Sequence, residues 1–219
     1  HPTVAKHQDI LEKCLTLQTF GELDTFLKSS PFKDHTKAQE FIKLNLELFG
    51  SSYPLDKDAK ECLVRIILDE NPEYSRLASG GEGIIYVEDS SSMSVSPDFQ
   101  ANLKASLKSH ELALKVLKDD CSEYESNSTE VEIARQRYPG VLPISCASWV
   151  VLDPLDDARV ALVMELGKES LRSYFQREKD PKKRLAIVLK VAQKIEQLQG
   201  SQVVHRDLKP DNVILNAKD

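Results

Sequence analysis

The chain has 219 residues and a formal net charge of −6, with 41% hydrophobic and 29% charged residues. This length suffices for one hydrophobic core, or for one core with a smaller attached unit. The acidic balance argues against a nucleic-acid-binding surface and against attraction to anionic lipid. No apolar run approaches the ~20 residues that a membrane-spanning helix needs. The composition therefore favours a soluble globular protein with neither nucleic acid nor membrane as a partner.

The four cysteines are widely spaced and form no C-x-x-C pair; they are Cys14, Cys62, Cys121 and Cys146. Scattered cysteines are usually reduced and buried, whereas a metal site needs clustered ligands. We therefore expect a reducing, cytoplasmic environment and no cysteine metal site.

Helical periodicity runs from residue 4 to the helix-breaking pair Asn71-Pro72. Capping-box patterns at Thr19–Glu22 and Thr36–Gln39 predict the starts of two of these helices. No catalytic cluster occurs in this stretch. We predict an all-α extension over residues 1–73, whose apolar faces need a partner. That partner is either the rest of the chain or a regulatory protein.

The pattern changes from helical to alternating after Pro72. Residues Leu77–Val87 predict a strand, a turn containing Gly80 and Gly81, and a second strand. Glycines let backbone amides approach phosphates without a Cβ in the way, although a plain hairpin turn would use the same residues. The serine-rich residues 88–109 predict a flexible insertion.

A buried lysine is the next notable feature. Glu111–Lys118 predicts an apolar strand that contains Lys115, and a buried ammonium group needs an anion because an unpaired one is costly. The short helix predicted after this strand offers two carboxylates, Glu130 and Glu132. We favour Glu130 from the spacing to Lys115 and keep Glu132, on a different helix face, as the alternative.

Two strands and two helices are predicted in the next part of the chain. The strands are Leu142–Val151 and Arg159–Leu166. A short helix at Leu171–Glu178 precedes a longer one that begins at Asp180-Pro181. Apolar residues cover most of the circumference of the longer helix, which is typical of a central helix buried on several sides. The 219 residues supply only the short helix and the loop near residue 210 to cover it, so we expect it to lack neighbours in this chain.

A polar loop near residue 210 carries the residues that suggest chemistry. The apolar runs Val203-Val204 and Val213–Leu215 bracket it and predict two short buried strands. An aspartate, a lysine two residues on and an asparagine five residues on suit phosphoryl transfer. Asp207 could accept a hydroxyl proton, Lys209 could neutralise phosphate charge, and Asn212 could ligate a metal.

This loop resembles the catalytic loop of the eukaryotic protein kinase family almost letter for letter; it reads His205-Arg206-Asp207-Leu208-Lys209-Pro210-Asp211-Asn212. Gly80 and Gly83 match the second and third glycines of the family's glycine-rich loop. Ile85 matches the following apolar position, and Ala78 departs from the pattern at the first glycine. The resemblance covers residues 74–219.

The resemblance implies an α+β fold in three parts. Residues 74–166 would form an N-lobe with an antiparallel sheet and one helix. Residues 167–219 would form a partial helical C-lobe, and the all-α extension over 1–73 would precede both.

The resemblance also implies ATP and Mg²⁺ as cofactors and a role for each matching residue. Asp207, Lys209 and Asn212 would be catalytic, with Asn212 also a metal ligand. Lys115 would hold the α- and β-phosphates and pair with Glu130. The remaining nucleotide-binding positions would be Gly80, Gly81, Gly83, Ile85, Ala113, Met164, Glu165 and Leu166.

The leading interpretation is a serine/threonine protein kinase that transfers the γ-phosphoryl group of ATP to protein substrates. Lys209 supports this specificity within the resemblance. The alternative is a pseudokinase-like binding or scaffold module that regulates partners through its helical extension, motivated by Ala78. A small-molecule kinase is disfavoured by Arg206 and by the Lys209-Pro210 pair.

The ends of the chain add one further expectation. It begins at His1 without a signal-peptide pattern, and it ends before an Asp-Phe-Gly motif would supply a second metal ligand. We therefore expect a piece of a longer protein, with negligible transfer activity alone.

Overall fold

The computed structural model describes residues 11–69, 72–79, 83–88, 112–117, 129–152, 157–205 and 207–216. Its helices are α1 (11–16), α2 (Phe20–Lys28), α3 (Thr36–Phe49), α4 (Lys57–Ile67), α5 (Thr129–Gln136), α6 (Leu171–Arg177) and α7 (Pro181–Gly200). Its strands are β1 (Tyr74–Ser79), β2 (Gly83–Glu88), β3 (Leu112–Leu117), β4 (Ile144–Val150), β5 (Arg159–Glu165), β6 (Glu169–Ser170) and β7 (Ile214–Leu215). Within the described ranges, no helix is both long enough and apolar enough to cross a membrane.

The described residues form two compact units. The first unit comprises those of His1–Arg135 and Ile144–Glu165. The second comprises those of Gln136–Pro143 and Leu166–Asp219. The first therefore contains α1–α4 and the large sheet, and the second contains α6, α7, β6 and β7.

Side-chain caps fix where the helices of the first unit begin. Thr19 caps α2, because its hydroxyl accepts a hydrogen bond from the Glu22 N–H at 3.2 Å. This capping prediction is confirmed. The prediction at Thr36 is wrong by one residue: the side chain of His35 caps α3, since its Nδ1 accepts from the Ala38 N–H at 3.3 Å.

The large sheet has five antiparallel strands in the order β1-β2-β3-β5-β4. Ala161, Leu162 and Val163 of β5 are completely buried, as are Cys146 and Ala147 of β4. Strand β4 lies at one edge of the sheet. The sheet and the helices of both units confirm the predicted α+β class.

The helical extension and the sheet share one hydrophobic core. Phe20, Phe41 and Leu63 from the helices are at most 1% exposed, as are Leu162 and Val163 from β5. Burial of such large side chains away from water is the main favourable term in folding. The sheet of the same chain is therefore the packing partner of the described helices, a question that the sequence left open.

Buried polar groups of the extension bond to the edge strand β4. The side-chain amide of Asn45 donates to the Ala147 carbonyl and accepts from the Ala147 N–H, both at 2.8 Å. The Tyr53 hydroxyl donates to the Ile144 carbonyl at 2.5 Å. These bonds take the place of those that a further strand would make, so the extension covers an edge that would otherwise be exposed.

The second unit has a small core formed by Leu171, Ile187 and Leu215. Helix α7 contributes to this core through one side only. Three of its large apolar side chains are exposed: Leu185, Val188 and Leu189. Within the described residues this helix thus keeps exposed apolar side chains, as expected from the few elements that the chain supplies to cover it.

Candidate active site

The polar loop lies between α7 and β7 in the second unit. Its far end is fixed by the β6–β7 pair, in which Glu169 lies opposite Leu215. The Lys168 N–H donates to the Leu215 carbonyl, and the Leu171 N–H donates to the Val213 carbonyl, both at 2.8 Å. The predicted strand at this end of the loop is confirmed, but only Leu215 of its two residues is buried, and Ile214 is exposed.

The other end of the loop differs from the sequence prediction. Val203 and Val204 form no strand, and Val204 is 75% exposed. The Val203 N–H donates to the Leu198 carbonyl at 3.4 Å, and Gln202 has a positive φ of 61°, so this bond caps the C-terminal end of α7. The prediction of two buried strands around the loop is therefore wrong at this end, because the backbone here closes the end of a helix and pairs with no strand among the described residues.

Asp207, Lys209 and Asn212 contact one another directly. The Lys209 Nζ donates to the Asp207 Oδ2 at 2.8 Å. The Asn212 amide nitrogen donates to both the backbone carbonyl and the Oδ2 of Asp207, each at 2.8 Å. One carboxylate oxygen therefore accepts two hydrogen bonds, one of them charge-assisted, and its direction is fixed.

These contacts alter the acidity of the carboxylate. The hydrogen bond from Lys209, followed by that from Asn212, lowers the pKa of Asp207 below its ordinary value. The carboxylate is thus ionised and exposed to solvent, where it can accept a hydrogen bond from an incoming hydroxyl group.

The first unit positions a second group of predicted site residues on its strands. Ile85 of β2 lies opposite Lys115 of β3. Ala113 of β3 lies opposite Met164 of β5. The sheet register therefore brings these four positions together on three neighbouring strands.

Gly83 begins β2, where backbone atoms approach closely. A Cβ at this position would lie 2.8 Å from the Val116 carbonyl oxygen and 3.4 Å from the Cε of Lys115. Glycine is therefore required for the β2–β3 pairing as observed. Gly80 and Gly81 lie outside the described residues.

The two candidate glutamates lie on α5. The backbone of Glu130 is helical, and its side chain lies outside the described part. The Glu132 side chain is 54% exposed, and Arg135 Nη1 donates to its carboxylate at 3.3 Å. The choice between Glu130 and Glu132 as the partner of Lys115 stays a prediction.

The chain passes from one compact unit to the other between Glu165 and Leu166. β5 ends at Glu165, and the next strand begins at Glu169. A Cβ on Gly167 would lie 1.8 Å from the Cγ2 of Ile214, so this connection needs glycine. The adenine-binding role assigned to Glu165 and Leu166 stays a prediction.

The family model described as protein tyrosine and serine/threonine kinase matches residues 95–219, which is more than half of the chain. This chain belongs to that kinase family. The family resemblance stated from the catalytic loop is thereby confirmed. No curated protein matches the chain. Membership makes it a protein kinase, with proteins as substrates, in a family that includes both tyrosine and serine/threonine specificities.

An ion pair that the sequence did not predict stabilises the polar loop. Arg172 of α6 donates from Nε and Nη2 to the two carboxylate oxygens of Asp211, at 2.6 and 2.8 Å. The Arg172 N–H also donates to the Pro210 carbonyl at 3.2 Å. The hydrogen bond from Arg172 lowers the pKa of Asp211. The sequence offered no signal for this pair, since both residues stand among other polar residues and are 39 positions apart.

The donor set of the loop fits a magnesium ion. Carboxylate and amide oxygens are the protein ligands that Mg²⁺ accepts. Asn212 uses its amide nitrogen for both bonds to Asp207, so its carbonyl oxygen is the atom suited to a cation. The chemistry of Asn212 therefore fits the predicted role of metal ligand.

Proposed function

We propose that this protein is a serine/threonine protein kinase, which transfers the γ-phosphoryl group of ATP to serine or threonine hydroxyls of proteins. The observation that carries the proposal is the fixed carboxylate of Asp207, held by Lys209 and Asn212 at 2.8 Å. Lys209 also supports serine/threonine rather than tyrosine specificity, through the resemblance of the loop.

Asp207 orients the acceptor hydroxyl and takes its proton, because it is ionised and aimed by two donors. Lys209 neutralises charge on the migrating phosphoryl group while it holds Asp207. Asn212 would hold the metal through its amide oxygen, while its amide nitrogen fixes the loop through its bonds to Asp207. Mg²⁺, when bound, neutralises phosphate charge and orients the phosphoryl group.

The strands of the first unit bind the nucleotide in this proposal. Lys115 holds the α- and β-phosphates and pairs with Glu130, while the glycine turn at Gly80, Gly81 and Gly83 covers the phosphates. Ile85 and Ala113 line the adenine position. The sheet register supports this assignment, because Ile85 of β2 lies opposite Lys115 of β3 and Ala113 is two residues from Lys115 on the same strand.

Met164 limits the depth of the adenine pocket, and Glu165 and Leu166 bind the adenine edge through their backbones. The proposed domains are the extension (1–73), the N-lobe (74–166) and the C-lobe (167–219). The unpaired thiols of Cys14, Cys62 and Cys146 support a reducing, cytoplasmic location. A regulatory protein that binds the extension stays a prediction.

The proposal is tested with the full-length protein, Mg²⁺ and ATP, and three peptides that differ only in a serine, threonine or tyrosine acceptor. We expect transfer to the serine and threonine peptides. Transfer confined to the tyrosine peptide would refute the specificity. Nucleotide binding without transfer to any peptide would favour the scaffold alternative.

The acid limb of the rate–pH profile should depend on Lys209. The hydrogen bond from Lys209 is the largest cause that lowers the pKa of Asp207, so Lys209→Met should raise this pKa toward its ordinary value. A base must be ionised to act, and the acid limb of kcat/KM should therefore move to higher pH. Lys194→Met, on the exposed side of α7, is the control and should not move it. An unmoved limb in Lys209→Met would contradict the role given to Asp207.

A further inference from the structure

Helix α5 is tied to the end of α3 in the helical extension. The Arg135 Nε donates to the Leu48 carbonyl at 2.6 Å. Leu48 lies in the last turn of α3, where carbonyls lack partners within the helix. A guanidinium at a helix C-terminus also interacts favourably with the helix dipole. This charge-assisted bond therefore fixes the spacing between α5 and α3.

Tyr53 provides a second tie between the extension and α5. Its hydroxyl lies 2.5 Å from the Ile144 carbonyl and 3.3 Å from the Ala134 carbonyl. A hydroxyl has one proton, so the bond to Ile144 is the stronger and Ala134 is the secondary acceptor. The ring stacks on Phe49 with centroids 4.6 Å apart. Tyr53 thus contacts the end of α5 and the start of β4 at once.

These ties act on a short helix whose other side is packed in the core. α5 has eight residues, and Val131 within it is completely buried. Glu130 lies one helical turn before Ala134, so a displacement at Ala134 or Arg135 is transmitted to Glu130 through the intervening backbone hydrogen bonds.

We propose that the helical extension positions α5 through Arg135 and Tyr53, and thereby sets the affinity of the protein for the phosphates of ATP. This inference rests on the proposed function, in which Glu130 of α5 pairs with Lys115. Leu48 and Tyr53 lie outside the residues that the kinase family model matches. Any effect of Leu48 and Tyr53 on nucleotide binding therefore comes from a segment outside the matched kinase region.

The test compares the affinity for Mg²⁺-ATP with that for adenosine, which lacks phosphates, in the full-length protein. Arg135→Met removes the donor and keeps an apolar stem, and Tyr53→Phe removes only the hydroxyl. Arg135→Met should weaken ATP binding at least about fivefold, the lower end of measured couplings between sites. Tyr53→Phe should weaken it less, because the shorter bond of the hydroxyl is to β4. Adenosine binding should not change. Arg135→Lys, which keeps a charged donor, should restore part of the loss.

Two comparisons separate positioning from general loss of stability. In the Lys115→Met background, Arg135→Met should cause no further loss of ATP affinity, because both variants act through the same contact. Asn45→Ser disturbs the bonds to β4 and none to α5. It should lower stability and leave the ratio of ATP to adenosine affinity unchanged.

The failures of the two proposals are distinguishable. Unchanged ATP affinity in Lys115→Met would remove the phosphate-binding role in the proposed function. The positioning role alone would be overturned by a different pair of results. Lys115→Met would weaken ATP binding, whereas Arg135→Met and Tyr53→Phe would change the affinities for ATP and adenosine equally or not at all.

Discussion

Replacement of Asp207 by asparagine should lower kcat for phosphoryl transfer by about 10²- to 10⁴-fold, the usual contribution of a general base. Asparagine is nearly the same size, but it carries no charge and cannot take the hydroxyl proton. Lys209 and Asn212 would then hold a neutral amide in place of the carboxylate they now contact at 2.8 Å. The KM for ATP should change little, since Lys115 and the glycine turn bind the phosphates in the proposal.

Steady-state kinetics of the full-length protein with a serine peptide measures this effect. Asp24→Asn is the matched control, because Asp24 lies on α2 and pairs with the exposed Lys28. It should leave kcat unchanged. A wild-type kcat in Asp207→Asn would show that another group accepts the proton.

Replacement of Arg65 by alanine should destabilise the fold by about 3–5 kcal/mol, the cost of leaving buried charges without their partner. Arg65 on α4 pairs with Glu61 at 2.5 Å and with Glu88 of β2, and all three side chains are at most 13% exposed. The variant would leave two carboxylates close together in a largely buried site. Denaturant unfolding measures the loss. Lys28→Ala, which breaks an exposed pair with Asp24, should cost about 1 kcal/mol or less.

The loss in Arg65→Ala should depend on pH. Burial raises the pKa of Glu61 above its ordinary value of 4.5, against the lowering effect of Arg65. Removal of Arg65 raises that pKa further. A carboxyl group with a raised folded-state pKa contributes stability that is complete below the unfolded pKa and lost as the pH rises through the folded value. The deficit of Arg65→Ala should therefore shrink as the pH falls toward 4.5, and a deficit that grows instead would contradict this account of the site.

The sequence predicted the features that depend on local pattern. Apolar periodicity placed α3 and α4, and alternation placed the strands of the sheet within a few residues. The loop around Asp207 predicted the family, because its order of residues is specific. Lys115 stood out as a charge inside an apolar strand.

Contacts between distant residues could not be predicted in this way. Asn45 and Ala147 are 102 residues apart, and Arg172 and Asp211 are 39 apart. A local sequence pattern cannot identify which polar side chain bonds to which distant backbone group. The polar Asn45 among the apolar positions of α3 could still have indicated a buried hydrogen bond. The exposed apolar side chains of α7 illustrate a related limit, because an apolar surface indicates that a helix can be buried and does not identify what covers it.

The most direct test is a single-turnover measurement of phosphoryl transfer from γ-labelled ATP by the full-length protein with Mg²⁺, alongside its Asp207→Asn variant. The account predicts label on serine and threonine residues of a protein substrate with the wild type, and its near-complete loss with the variant. Equal labelling by the two proteins, or no labelling by either while both bind ATP, would contradict it.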